Sequence, residues 1–372
     1  MNITQQQKQQ SKQPVLSSNL ISTTLVSLLF PGYAFLFLIS GPHSMSAALY
    51  WILPFWLILF ADLIPVNGKT DNPQPVSDLP YTLLVYFLAI LQIINLFILL
   101  GMASQLQWTN PLMIATSLTN MLAIKVIIGT SSSFSGIVVA HELIHKRSWF
   151  SRLFGRLLLS LVCYEHFYSE HLSGHHCNVG HQSDPATARY GESFNAFWNR
   201  TVPGQFIHAW NLENIRLQLT DLSFPTILRH QVFQGIVFQT LLIISILMIF
   251  GASALIAFLI QAIAAIRKLE AVNYIEHWGL ERKNGSNEDI LSWETDSWLT
   301  LHSLIGLSKH TDHHRHADKP FQRLDYCAKS PQLPYGYFAS IFLSIFANQR
   351  FQYLASQQLK ANNLGPFQNL DN

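Results

Sequence analysis

Charge is scarce in this chain. Of its 372 residues only 12% are Asp, Glu, Lys or Arg, while 49% are hydrophobic; an ordinary soluble domain carries about 25% charged residues. That shortage argues against a soluble globular protein. Cysteine is nearly missing as well. Cys163, Cys177 and Cys327 are scattered along the sequence, which excludes a disulfide framework and a zinc or iron–sulfur cysteine pattern. They are expected as free thiols on the reducing, cytoplasmic side. No internal repeat stands out. No small-residue cleavage site follows a short apolar core, so no cleavable signal peptide is expected. The net charge of +2 says little by itself, and nucleic acid is not expected among the partners.

What the chain has instead is long apolar runs. An α-helix needs about 20 apolar residues to cross a bilayer core, and candidate spans lie at 19–40, 46–66, 81–102, 111–140, 232–250 and 252–272. Only Gly251-Ala252-Ser253 separates the last two, which invites misreading them as one helix. Residues 1–14 are Gln- and Lys-rich and are expected as a disordered tail. The proline-rich Asp71–Pro80 reads as a loop. Residues 15–345 then form one membrane domain, and 346–372 a polar C-terminal tail.

The basic residues set the topology. Lys8 and Lys12 precede the first span and Lys69 lies between the second and third, while the connections at 41–46, 103–110 and 251–253 contain no Lys or Arg. Lys146, Arg147, Arg152, Arg156, Arg267, Lys268, Arg282 and Lys283 all follow the fourth span. By the positive-inside rule both termini and every long polar segment face the cytoplasm. That requires an even number of crossings, and six is the expectation. The fold class is therefore all-α, a six-helix transmembrane bundle. The apolar, amphipathic run from Phe150 to Leu161 is expected to lie at the cytoplasmic interface and not to cross.

Sixteen histidines are present, and most fall in clusters. HELIHK at the end of the fourth span places His141 and His145 at i and i+4, on one helical face, where both imidazoles can share a metal. EHLSGHH adds His171, His175 and His176, and HTDHH adds His310, His313 and His314. NYIEHWGL places His277 just past the sixth span. An isolated histidine at a membrane boundary is ordinarily a hydrogen-bonded structural residue, so His43, His208, His230 and His302 receive no role. Clusters differ, because burying so many imidazoles near an apolar boundary without metal is costly. Counting 232–272 as a single span would put His277 across the membrane from the other clusters, whereas two spans return it to the same side.

HELIH also fits the H-E-x-x-H pattern of zinc peptidases, with Glu142 as general base. A catalytic zinc takes three protein ligands and keeps one position for water. Nine clustered histidines suit two metals better. Imidazole serves iron and copper as well as zinc, and with no thiolate ligand and an apolar setting, two irons acting on O2 are the better chemistry. The neighbouring acids Glu142, Glu170, Glu276, Asp184 and Asp312 are expected to accept hydrogen bonds from the far side of ligand imidazoles.

With these residues in view, the chain resembles the integral-membrane alkane 1-monooxygenases, related to xylene monooxygenases and membrane fatty-acid desaturases. The three histidine boxes are shared across those groups. Asn273-Tyr274-Ile275-Glu276-His277-Trp278-Gly279-Leu280 resembles the NYxEHxGL signature of the alkane branch, as do PQLPYGY at 331–337 and DNP at 71–73. His181-Gln182 before the DPA at 184–186, Ser308-Lys309 before the last box and His316 depart from the usual pattern, and none of these changes removes a ligand. The resemblance implies a cytoplasmic di-iron site held by His141, His145, His171, His175, His176, His277, His310, His313 and His314. It also implies terminal hydroxylation of medium- or long-chain alkanes to 1-alkanols with O2, and electrons from rubredoxin and its NADH-dependent reductase. A bacterial inner-membrane location with surrounding lipid follows. Related hydroxylation or desaturation of fatty acyl or methylarene substrates is the alternative. Trp51, Phe55 and Trp56 on the second span are candidates for limiting chain length. Lys146, Arg147, Arg152 and Arg156 are candidates for steering an acidic electron donor.

Overall fold

A computed structural model describes residues 18–64, 75, 77–218, 224–282 and 290–368 of the chain. The expected tail at 1–14, the DNP at 71–73, and Lys8, Lys12, Lys69 and Lys283 lie outside the described residues. The regular structure is helical, and one isolated bridge joins Glu294 to Gln332. In chain order the helices begin with α1 (Ser18–Ser27), α2 (Leu29–Ile39), α3 (Met45–Leu63), α4 (Leu79–Ser104) and α5 (Pro111–Ser131). A π-helical segment (Ser132–Ile137) leads into α6 (Val138–Ile144), followed by α7 (Trp149–Ser160) and α8 (Phe167–Glu170). A second π segment (His171–His175) leads into α9 (His176–Asn178), α10 (Phe194–Arg216), α11 (Phe224–Ile227) and α12 (Gln231–His277). The last four are α13 (Trp298–Ser303), α14 (His310–Arg315), α15 (Tyr337–Phe346) and α16 (Asn348–Ala361).

Among the described residues five stretches are long and apolar enough to cross a membrane: Asn19–Ile39, Met45–Leu63, Leu79–Ser104, Pro111–Ile144 and Gln231–His277. In hydrocarbon every backbone polar group must be satisfied within the segment, which a helix does. Their outer faces carry the apolar residues that a soluble protein would bury: Leu57 is 70% exposed and Met248 78%. Their inner faces are small or hydrogen-bonded. Gly129 on α5 lies so close to Ala264 on α12 that a β-carbon there would overlap it. Gln92 on α4 donates to Ser132 Oγ (2.9 Å) and accepts from Ser131 Oγ (2.9 Å), stitching α4 to the first π segment.

The fifth stretch, 47 residues long, is broken at Gly251, whose φ of 82° and ψ of 179° no helix adopts. Unbroken, the path from Gln231 to Glu270 would cover roughly 60 Å at 1.5 Å per residue. Instead both ends meet the same short segment. Arg156 reaches the Gln231 carbonyl (3.3 Å) and the Glu165 carboxylate (2.5 Å), while the adjacent Tyr164 hydroxyl donates to Glu270 (2.9 Å). Next to the break, Trp108 Nε1 donates to Ser253 Oγ at 2.7 Å, on the connection between α4 and α5. The chain therefore reverses at Gly251, and α12 is a helical hairpin with both ends beside the histidine clusters.

The amphipathic run at 150–161 is the short helix α7, which exposes Trp149, Phe150 and Leu153 and buries Leu158 and Leu159. Within the expected C-terminal tail, α16 buries Phe351, Ala355 and Leu359, one residue per turn, against the core. The three cysteines are free thiols.

Candidate metal centre

The histidines are delivered by helix ends, and two widened turns aim them. In the first, the Val138 N–H donates to the Ser133 carbonyl, an i→i+5 bond that re-registers α6 relative to α5 before His141 and His145. In the second, the His176 N–H donates to the His171 carbonyl across EHLSGHH. His171 and His176 thereby fall together, with ring centroids 4.6 Å apart, while His175 faces the end of α12. His277 ends α12, and its Nδ1 meets the Leu291 carbonyl at 3.1 Å. The last box is pinned by Glu294, a buried acid that accepts from the Thr311 N–H (3.3 Å) and the Cys327 N–H (2.9 Å).

The nine clustered histidines gather into two groups. His141, His145, His171, His176 and His313 form one; His175, His277, His310 and His314 form the other. Within each group, one ring nitrogen from every histidine lies within 4.8 Å of those of the others. In the first group Nε2 atoms approach to 3.0 Å (His145 with His171), 3.1 Å (His171 with His176) and 3.2 Å (His176 with His313). Two neighbouring ligands at ~2.1 Å from one ion stand about 3 Å apart. Buried ring nitrogens of His141, His175, His176, His277, His310 and His314 have no hydrogen-bond partner. Close-set ring nitrogens in the first group and orphaned buried ones in the second suit a pair of nitrogen-ligated metal ions, so the donor set fits the metals the sequence suggests.

Electrostatics favour that chemistry. Burial holds His145, His171, His176, His310, His313 and His314 well below the ordinary histidine range, and neighbouring imidazoles push them the same way. Neutral imidazole is the form that binds metal. His175 is the exception. Burial works against its charged form, but the Asp184 carboxylate 2.8 Å from Nδ1, together with Glu170 and Glu270, raises its pKa.

Of the five acids singled out in the sequence, two face clustered histidines: Asp184 meets His175, and Glu276 Oε2 lies 3.3 Å from His310 Nε2. Both belong to the four-histidine group. The other three have different partners. Glu142 pairs with Lys146 (3.4 Å), Asp312 with His316 (2.9 Å) and Lys319 (2.6 Å), and Glu170 with His208 (2.8 Å). Sequence reasoning gave His208 no role and passed over Glu294, whose only signal was an acid in the stretch between two histidine elements. The unassigned His230 caps α12 by accepting from the Phe233 N–H (3.1 Å), and His302 Nδ1 meets Thr23 Oγ1 (2.9 Å).

A small cavity touches both groups; Val138, Ile305, Leu307, Phe321 and Leu324 line it together with His141, His310, His313 and the predicted acid Glu142. Elsewhere in the bundle aromatic rings pack on one another. Phe134 packs on Phe338 (5.1 Å) and Phe30 (5.5 Å), and Phe30 packs on Phe55 (6.1 Å). Trp51 stands one ring further, on Tyr33 (5.0 Å), whereas Trp56 is half-exposed against Phe342. Among the basic residues, Arg147 is exposed and paired with Asp318 (2.9 Å), while Arg156 turns inward to Glu165.

A family model for fatty acid desaturases matches residues 116–343. Alkane 1-monooxygenase 2 of Pseudomonas aeruginosa is 34% identical over 299 residues, 78% of each chain. Alkane 1-monooxygenase 1 of Alcanivorax borkumensis is 32% identical over 336 residues, 87% of this chain and 81% of its own length. The xylene/toluene monooxygenase hydroxylase component XylM of Pseudomonas putida is more distant, 21% identical over 318 residues.

Proposed function

The chain belongs to the alkane 1-monooxygenase family of membrane oxidoreductases, and from that premise we propose that it hydroxylates the terminal methyl of medium- or long-chain alkanes. The reaction is R–CH3 + O2 + two electrons + two protons → R–CH2OH + H2O. Two non-haem irons, one per histidine group, supply the activation of O2 when bound. The single observation that carries this reading is the gathering of nine imidazoles, six of them buried and the other three half-buried, into two groups at the end of an apolar bundle.

The chain's own residues do the rest. His141, His145, His171, His176 and His313 would hold one ion, and His175, His277, His310 and His314 the other. Asp184 and Glu276 orient two imidazoles of the second set. Val138, Ile305 and Leu307 give the cavity beside the histidines an apolar wall opposite Glu142, which limits the water that reaches it. The packed rings from Phe134 to Phe55 mark the apolar interior that an unbranched chain would enter end first, which would favour its terminal carbon.

The hairpin at Gly251 brings the crossings to six, with both termini and the histidines on the cytoplasmic face of a bacterial inner membrane. Electrons come from rubredoxin, reduced by its NADH-dependent reductase and attracted by exposed basic groups such as Arg147.

The test is product analysis on membranes holding the protein, supplied with rubredoxin, its reductase, NADH and 18O2, with octane and hexadecane as substrates. Labelled 1-alkanol that disappears in His277→Ala supports the reading, and the preferred alkane bounds the path length. Conversion of a fatty acyl or methylarene substrate with no alkanol would leave the site standing and overturn the substrate.

A further inference from the structure

The PQLPYGY motif at 331–337 sits outside the histidine clusters, and its last residue reaches them. Tyr337 is fully buried, and its hydroxyl donates to Glu276 Oε1 at 2.7 Å. The other oxygen of that carboxylate, Oε2, lies 3.3 Å from His310 Nε2, the outer edge of hydrogen-bond reach. His310 Nδ1 is a buried nitrogen with no hydrogen-bond partner. A line of contacts thus runs from a phenol through a carboxylate to an imidazole of the four-histidine group.

Tyr337 is itself held from the far side. Its N–H donates to Thr300 Oγ1 (2.9 Å), and two residues on, the Ala339 N–H donates to Asp62 Oδ2 (3.0 Å). Asp62 comes from the end of α3 and also accepts from Ser297 Oγ (2.8 Å). It is 3% exposed, an acid buried at the first turn of α15, where helix N–H groups point at it. Gly336 makes this possible, because a β-carbon there would overlap the Asp62 carboxylate. The glycine and the tyrosine of the motif therefore have distinct jobs: one admits Asp62 and the other delivers a hydroxyl.

We propose that Tyr337 is a positioning residue: its phenol, placed by Asp62, fixes the Glu276 carboxylate that in turn orients His310. The inference rests on the metal reading above. A carboxylate behind a ligand imidazole sets its orientation and donor strength, and loss of such a partner lowers metal affinity 10–100-fold. Tyr337 stands one bond further out. Its loss leaves one Glu276 oxygen without a partner in a buried site, and the carboxylate then turns away from His310.

The test uses full-length protein loaded with 57Fe and read by Mössbauer spectroscopy, with thermal unfolding as the folding check. The wild type has unlike sites, five imidazoles and four, so two doublets are expected. Tyr337→Phe keeps the ring and is expected to move one doublet, leave the other in place and weaken iron at that site about 10-fold. Glu276→Gln is expected to move the same doublet, and the double variant to add nothing. Asp62→Asn is the second handle should Tyr337→Phe not fold; it is expected to move the same doublet by a smaller amount. If the folded Tyr337→Phe or Asp62→Asn protein keeps both doublets unmoved while Glu276→Gln shifts one, the inference is overturned. A wild-type protein that binds no iron overturns the metal reading instead.

Discussion

Replacing Asp184 with Asn tests the claim that the two histidine groups are unlike metal sites. Asp184 is 1% exposed and its partner His175 2%, and the contact between them is 2.8 Å. The same carboxylate accepts from Thr187 Oγ1 (2.6 Å) and from the Ala186 N–H (2.9 Å). Asn is nearly isosteric and keeps an oxygen for Ala186, so the local turn survives. Its amide hydrogens, however, face a histidine N–H and a hydroxyl, and the negative charge behind the imidazole is gone. Partners of this kind are worth 10–100-fold in metal affinity, or about 1.4–2.8 kcal/mol. Asp184 touches only the four-histidine group, so the loss falls on one ion. Iron titration of the metal-stripped protein against a competing chelator is expected to show one equivalent weakened by that factor and the other unchanged. Equal weakening of both equivalents, or a change under 2-fold, would refute the assignment of Asp184 to one site.

Three further outcomes follow from the fold. Gly251→Ala meets nothing within 4 Å, so its cost is conformational alone: φ 82°, ψ 179° is a glycine region that is strained by about 1–3 kcal/mol for other residues. The expected result is a lower unfolding temperature in detergent with unchanged iron content. Arg156→Met strands the buried Glu165 and is expected to destabilise by about 3–5 kcal/mol, while adding Glu165→Leu restores most of it; unfolding of the two variants, compared, decides this. Phe55→Ala opens the ring path next to Phe30 and is expected to shift the alkanol profile toward longer chains; an unaltered profile removes Phe55 from the path.

Much of this architecture was readable from residues, and the parts that were not share a cause. The Gly-Ala-Ser at 251–253 was enough to foresee a break in α12, because a bilayer limits the length of a crossing and glycine permits the turn. The histidines were visible as clusters, but their division was not. His171 and His176 join His141, His145 and His313, while the intervening His175 joins His277, His310 and His314. That split depends on a π turn, which sequence periodicity does not reveal. Likewise Glu142, Glu170 and Asp312 stand next to box histidines in sequence yet pair with Lys146, His208 and Lys319. Adjacency along a helix says little about which side chain an acid meets across a bundle. The segment expected only as a polar C-terminal tail holds α16, which buries Phe351, Ala355 and Leu359; its polar overall composition hid that four-residue spacing.

The central claim, that this chain places O2-derived oxygen on a terminal carbon, is best tested in a single turnover that needs no electron-transfer partner. Iron-loaded protein is chemically reduced, mixed with hexadecane and 18O2, and quenched. The expected product is 18O-labelled 1-hexadecanol, approaching one per two irons in the wild type and absent in His277→Ala. Unlabelled alkanol, or no alkanol from a protein that holds both irons, would contradict the account.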